Sequence, residues 1–270
     1  LICRTEHELG NERKRKIAEF CNVDNDSVVE MRDAESIYDV PLNLLKEKLD
    51  LTVLKQLGYD EIPDLDLKKW KEFLKNYKNP KRTITIGVVG KYVELKDAYI
   101  SIYESFIHAG AKLHCKVNIE QIHAEKLNTE NVQELLQDLD GIFVAPGFGQ
   151  RGIDGKLLAI QYARENKIPF FGVCLGMQCA VIEFARNVLN IKDANSREFN
   201  KKVNDPVIDL MEEQKLITKM GGTMRLGAYP CEVKKGSTSE KSYKSPLVWE
   251  RHRHRYEFNN KYLEQFENAG

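Results

Sequence analysis

The chain has 270 residues, with 41 Lys and Arg against 41 Asp and Glu, so its formal net charge is zero; hydrophobic residues make up 42% and charged residues 30%. That composition suits a globular protein of one or two domains and gives no chain-wide attraction to nucleic acid or anionic lipid. No apolar run approaches the ~18 residues of a membrane span, and no signal-peptide pattern opens the sequence.

Residues 1–57 read as a mixed segment: a helix over Glu12–Cys21, a short strand over Ser27–Glu30, a turn at Tyr38–Leu42 and a helix over Asn43–Leu57. Residues 58–82 read as a linker helix. Asp60, Pro63, Asp64 and Asp66 open it, Leu65, Trp70, Phe73, Leu74 and Tyr77 recur at helical spacing, and Asn79-Pro80 closes it. Its lysines (Lys68, Lys69, Lys71, Lys75, Lys78) are a solvated helix face or an interdomain contact.

From Thr83 onward strands and helices alternate. Strands are expected at Thr83–Val89, Cys115–Ile122, Gly141–Ala145 and Pro169–Val173, with helices at Asp97–Gly110, Thr129–Leu139, Lys156–Asn166 and Leu175–Leu189. The alternation predicts an α/β fold, a mostly parallel sheet flanked by helices. Ligands of such sheets bind beyond the carboxyl ends of the strands, which directs attention to the loops after Val89, Ala145 and Val173.

The six cysteines (Cys3, Cys21, Cys115, Cys174, Cys179, Cys231) are dispersed without a CxxC pair, which predicts a reducing, cytoplasmic setting. One of them is placed for chemistry. Gly172-Val173-Cys174-Leu175-Gly176 has the spacing of a nucleophile elbow, with Cys in the Ser position. Glycine on either side permits a tight strand-to-helix turn, and the helix N-terminus favours a thiolate. The bland alternative is a buried apolar cysteine, as Cys179 on the helix proper is expected to be.

Pro146-Gly147-Phe148-Gly149-Gln150-Arg151-Gly152 also satisfies G-x-G-x-x-G, the dinucleotide fingerprint. The following strand carries the cysteine elbow instead of an acidic ribose-binding residue, so a second reading competes: backbone N–H groups that complete an oxyanion hole with Leu175. Of the six histidines, His252 and His254 lie in the dense motif Glu250–Glu257. Alternation puts them on one strand face with Arg251, Arg253 and Arg255 on the other, as a candidate base with Glu257 behind it or as an anion clamp.

Pro146–Gly149 together with Gly172–Gln178 resembles the class I, triad-type glutamine amidotransferases. Gly87–Tyr92, Asp97–Tyr99, Asn195–Phe199, Gly221–Gly227, Glu250–Asn260, Leu1–Arg4 and Ser36–Pro41 resemble, within them, the CTP synthase family. The resemblance implies ATP-dependent amination of UTP to CTP, with ammonia released from L-glutamine at Cys174 through a thioester. It implies Gly147 and Leu175 as oxyanion donors, and Gly147, Leu175, Gly176, Met177, Gln178, Glu198 and Arg255 as glutamine contacts. Arg255 then serves as a carboxylate fork and Glu198 as an ammonium partner, and His252 and His254 lose the role of base.

By the same resemblance 1–57 is the tail of a synthetase domain and 83–270 an amidotransferase domain. No His-Pro-Glu occurs in the sequence, so the triad His and Glu are expected beyond Gly270, and the chain is expected to be truncated, to turn over glutamine poorly and to make no CTP. ATP and Mg2+ are implied for a parent enzyme that forms homotetramers, with GTP as activator, Gly221–Gly227 as a candidate for that communication, and no metal in this part. Alternatives are another cysteine acyl-transfer or hydrolase domain, and a non-catalytic binding or regulatory module of the same fold.

Overall fold

The computed structural model describes residues 1–59, 65–211 and 225–270. Asp60, Pro63 and Asp64 of the linker, and Gly221–Met224 of the glycine motif, lie outside them. The chain forms two compact units, one of residues 1–81 and 108–115, the other of residues 82–107 and 116–270.

In the first unit β1 (Ile2–Thr5) pairs in parallel with β2 (Val29–Arg32), Ile2 opposite Val29. α1 (Gly10–Cys21) joins them. The strand expected at Ser27–Glu30 begins later because Asn25–Ser27 forms a 3-10 turn. The single helix expected over Asn43–Leu57 is two, α2 (Val40–Lys46) and α3 (Leu49–Gln56). Pro41 occupies the first turn of α2, where it lacks only an N–H that the helix leaves unpaired anyway. The break falls at Lys48, φ 57°, beside Glu47, whose carboxylate accepts from Lys14 Nζ at 2.6 Å and from the Glu30 N–H at 3.3 Å.

α4 (Lys68–Lys78) turns its aromatic side onto Tyr38: Trp70 Nε1 donates to Tyr38 O at 3.1 Å, and Phe73, Tyr77 and His108 set their rings against the Tyr38 ring. The five lysines of this helix are exposed, and Lys78 reaches Asp39 at 2.8 Å.

The second unit holds a four-stranded sheet of order β4-β3-β5-β6. Its members are β3 (Arg82–Gly90), β4 (Cys115–His123), β5 (Gly141–Val144) and β6 (Phe170–Gly172), with β3/β5 and β5/β6 parallel. Alternation decides the two faces. Val89, Ile142 and Val144 enter a core with residues of α6 (Val132–Leu136), α7 (Ile153–Glu165) and α8 (Leu175–Asn187), whereas Val88, Phe143 and Ala145 enter one with Tyr99 and with α5 (Ile100–Lys112). The fold is α/β, a parallel sheet flanked by helices.

Two helices differ from expectation. α6 is shorter, because the Asn128 Oδ1 accepts from the Glu130 and Asn131 N–H groups and turns the chain there. α7 starts at Ile153, before Lys156, so that Ile153, Lys156, Ile160 and Ala163 share its buried face.

Beyond α8 come β7 (Asn195–Ser196), β8 (Pro206–Leu210), β9 (Arg225–Glu232), α9 (Thr238–Tyr243), β10 (Leu247–His254), β11 (Tyr256–Phe258) and α10 (Leu263–Ala269). β9 and β10 form an antiparallel hairpin, and β11-β8-β7 a small sheet. His252 and His254 are half-buried on one side of β10, with Arg251 and Arg253 exposed on the other. Arg255 leaves that pattern, because the chain breaks between β10 and β11 at this residue. Among the described residues no helix is long and apolar enough to cross a membrane.

α7 and α8 are joined by Glu183, 2% exposed, which accepts from Arg164 Nε at 3.0 Å and Nη2 at 2.8 Å. Removing the arginine would leave this buried carboxylate without its counter-charge, held by Asn187 Nδ2 at 2.9 Å. Arg164→Met is expected to lower the unfolding free energy by about 2 kcal/mol, less than for a fully buried pair because Arg164 is partly solvated; urea melts of both chains measure it.

Candidate active site

The elbow is built by steric exclusion. β6 stops at Gly172, α8 begins at Leu175, and between them Cys174 takes φ 56°, ψ −111°. A Cβ on Gly172 would stand 2.6 Å from the Gly176 carbonyl carbon, and one on Gly176 2.1 Å from Val144 O. Both glycines are therefore demanded by the approach of α8 to the strand ends, which presents the Cys174 thiol at the helix N-terminus.

Burial pushes that thiol's pKa up, while hydrogen bonds from the Leu175 and Gly147 N–H groups pull it down; the Glu198 charge raises it and Lys156 lowers it. The two amides that the sequence offers as oxyanion donors thus converge on the Cys174 sulfur. Cys179, fully buried one turn along, has its thiol pushed up by burial to about 12 and stays a core residue.

The Ala145–Gly152 loop is fixed from several sides. Gly149 and Gly152 have φ of 69° and 70°, conformations glycine adopts without strain. The Gly149 N–H donates to Glu198 Oε1 at 2.8 Å, and Gln150 Nε2 donates to Phe199 O. Lys91, at the end of β3, donates through Nζ to Phe148 O and Gly149 O, both at 2.6 Å. Lys156 on α7 donates to Ala145 O.

Above the thiol lies a cavity of about 140 Å³ lined by Gly147, Phe148, Cys174, Gln178, Glu198, Arg253, His254, Arg255 and Tyr256. It brings together five of the residues expected from sequence: Gly147, Cys174, Gln178, Glu198 and Arg255. Gln178 is 4% exposed and donates Nε2 to Tyr256 O at 3.2 Å. Leu175 and Gly176 are buried and do not line the cavity, Leu175 meeting the thiol through its N–H, while Met177 lines a separate apolar groove with Ala180, Val181, Phe184 and Phe266. Among the histidines His254 reaches the cavity; burial lowers its pKa, and the His252 charge lowers it further. His252 rests on the Tyr229 ring.

A larger cavity in the first unit, about 830 Å³, has Asp24 as its charged side chain and is lined by no cysteine or histidine. Sequence reasoning missed Phe148, Tyr256, Lys91 and Lys156. Lys156 had a signal, since it stands in the apolar stripe Ile153–Ile160–Ala163 where a hydrophobic residue would be expected. Among the described residues no cluster of three or more His, Cys, Asp or Glu could hold a metal ion.

The family model for glutamine amidotransferase class-I matches residues 94–270, and that for the CTP synthase N-terminus matches residues 1–59. CTP synthase from Cytophaga hutchinsonii is 60% identical over all of this chain and 50% of its own length. That from Methanocaldococcus jannaschii is 55% identical over all of this chain and 51% of its own. The chain spans about half the length of the curated relatives it matches. A solved structure, the Trypanosoma brucei CTPS glutaminase domain with bound acivicin, is 45% identical with a TM-score of 0.64, covering 69% of this chain and 72% of that one. A thiol on a glycine-framed elbow, two amides converging on it, and matches at both ends of the chain lead to one assignment: the chain belongs to the class-I glutamine amidotransferases, in their CTP synthase branch.

Proposed function

We propose that the second unit releases ammonia from L-glutamine by nucleophilic catalysis at Cys174. The Cys174 sulfur attacks the side-chain carboxamide carbon, the C–N bond breaks with a proton passing to nitrogen, and ammonia departs. Water then cleaves the γ-glutamyl thioester to glutamate and the free thiol. Gly147 and Leu175 N–H groups receive the negative charge that builds on the amide oxygen. Glu198 receives the substrate's α-ammonium, Arg255 its α-carboxylate, and Gln178, held to Tyr256, walls the pocket. The supporting observation is the placing of Cys174, both amides, Glu198 and Arg255 around one cavity.

By the family resemblance, the ammonia would aminate UTP to CTP in a parent enzyme that uses ATP and Mg2+, responds to GTP and forms a tetramer. The residues of this chain supply the glutamine half, and the chain by itself is expected to make no CTP. Its domain division follows suit: synthetase tail at 1–57, linker helix at 58–82, amidotransferase domain from 83.

Intact-mass analysis after treatment with an electrophilic glutamine analogue tests the reading. A single adduct on Cys174, blocked by glutamine, is expected; adducts spread over several cysteines would sink it. His254→Ala is expected to change the labelling rate by less than about twofold, since a neutral, half-buried imidazole that is not the base contributes little beyond packing. A loss of a hundredfold would restore His254 as the base.

A further inference from the structure

The loop that carries Gly147 owes its shape to two ammonium groups beneath it. Lys156 is 0% exposed and donates Nζ to Ala145 O, while Lys91 is 3% exposed and donates to Phe148 O and Gly149 O. The partners of both are carbonyl oxygens of a single loop, and such burial of ammonium groups is costly unless the bonds they make are needed.

The pattern of those bonds dictates where the amides point. A trans peptide carries its oxygen and its N–H on opposite sides. The Phe148–Gly149 peptide is held at both ends, Lys91 on its oxygen and Glu198 on its N–H at 2.8 Å. The Ala145–Pro146 peptide has no N–H and is held by its oxygen on Lys156. Between these two anchors stands the Pro146–Gly147 peptide; Gly147 lines the cavity beside Cys174, and its N–H helps hold the thiol's pKa down. The Lys91 stem also lies against Gly147, where a Cβ would meet its Cδ at 3.6 Å.

We infer that Lys91 and Lys156 are positioning residues of the oxyanion hole: their grip on the loop carbonyls holds the Gly147 N–H on the reacting centre. The inference rests on Cys174 being the nucleophile. Lys156 faces Cys179 from α8, Lys91 from the end of β3 and Cys174 from the elbow, and burial brings its pKa down to about 8. The Lys156 ammonium is therefore largely charged at neutral pH and loses that charge, with the stronger part of its grip on Ala145 O, in mildly alkaline solution.

The test compares two reagents on the full chain. A chloroketone analogue of glutamine must lodge its carbonyl oxygen in the oxyanion hole, whereas iodoacetamide alkylates the thiol without one. In Lys156→Met and in Lys91→Met the chloroketone-to-iodoacetamide rate ratio at Cys174 is expected to fall roughly tenfold or more. Lys156→Arg should recover part of the loss. In the parent chain the chloroketone-to-iodoacetamide ratio, which cancels the titration of Cys174 itself, should fall as pH rises through about 8; in Lys156→Met it should be flat.

Variants labelled at the parental ratio, or slowed equally toward both reagents, would overturn the inference while leaving Cys174 in place. A parent chain that takes no chloroketone on Cys174 would overturn the nucleophile reading and the lysines' role with it. Should Lys156→Met fail to fold by near-ultraviolet circular dichroism, Lys91→Met and the parental pH ratio decide.

Discussion

Cys174→Ala is expected to take no adduct from a glutamine analogue and to lower the chain's already poor glutamine turnover by at least about tenfold, since no second thiol lines the cavity. Mass spectrometry and a coupled glutamate assay read both effects. The same position carries a cost in stability. At φ 56°, ψ −111° a residue with a Cβ is strained, and neither Cys nor Ala escapes it. Cys174→Gly should therefore be the more stable of the two inactive variants by about 1 kcal/mol, in the order opposite to that at an ordinary helix position, where Ala exceeds Gly. Equal melting of the two variants would show that the elbow stores no strain.

Gly176→Ala is the second change of large effect. The added methyl would lie 2.1 Å from Val144 O and 3.2 Å from Val144 Cβ. No side-chain rotation relieves a clash of Cβ with backbone, so α8 must retreat from β5. That separates the Gly147 N–H, which follows β5, from the sulfur and opens the core at Leu175, Cys179 and Ile182, each at most 1% exposed. A loss of about 3–5 kcal/mol in unfolding free energy is expected, together with loss of Cys174 labelling in whatever remains folded. A folded chain with parental labelling would show that the helix has slack here.

Where sequence and structure agree, the residues involved answer to local rules. Gly172 and Gly176 frame the thiol because a strand-to-helix turn tolerates nothing larger, and that requirement is visible in five residues. The strands β3 and β5 show as β-branched and apolar runs because both faces are buried. The split of Asn43–Leu57 was hidden, since it turns on a non-local carboxylate: Glu47 is taken by Lys14 and the Glu30 amide. Alternation sets Arg255 with Arg251 and Arg253 on the face opposite His252 and His254, and the break between β10 and β11 at this residue places it beside His254 on the cavity. Lys91 lay beyond periodicity altogether, because its partners are carbonyl oxygens 57 and 58 positions away in sequence.

β6 is three residues long and ends its sheet on one side, with Phe171 65% exposed. A terminal strand offers its peptide groups to any other extended chain, and an exposed aromatic adds to the attraction. Here the ladder stops almost as soon as it starts, because the backbone swings into the left-handed region at Cys174 and becomes helix. The bend that presents the thiol thus also leaves too little edge for a foreign strand to recruit. The geometry that presents the thiol is the same one that keeps this strand edge short.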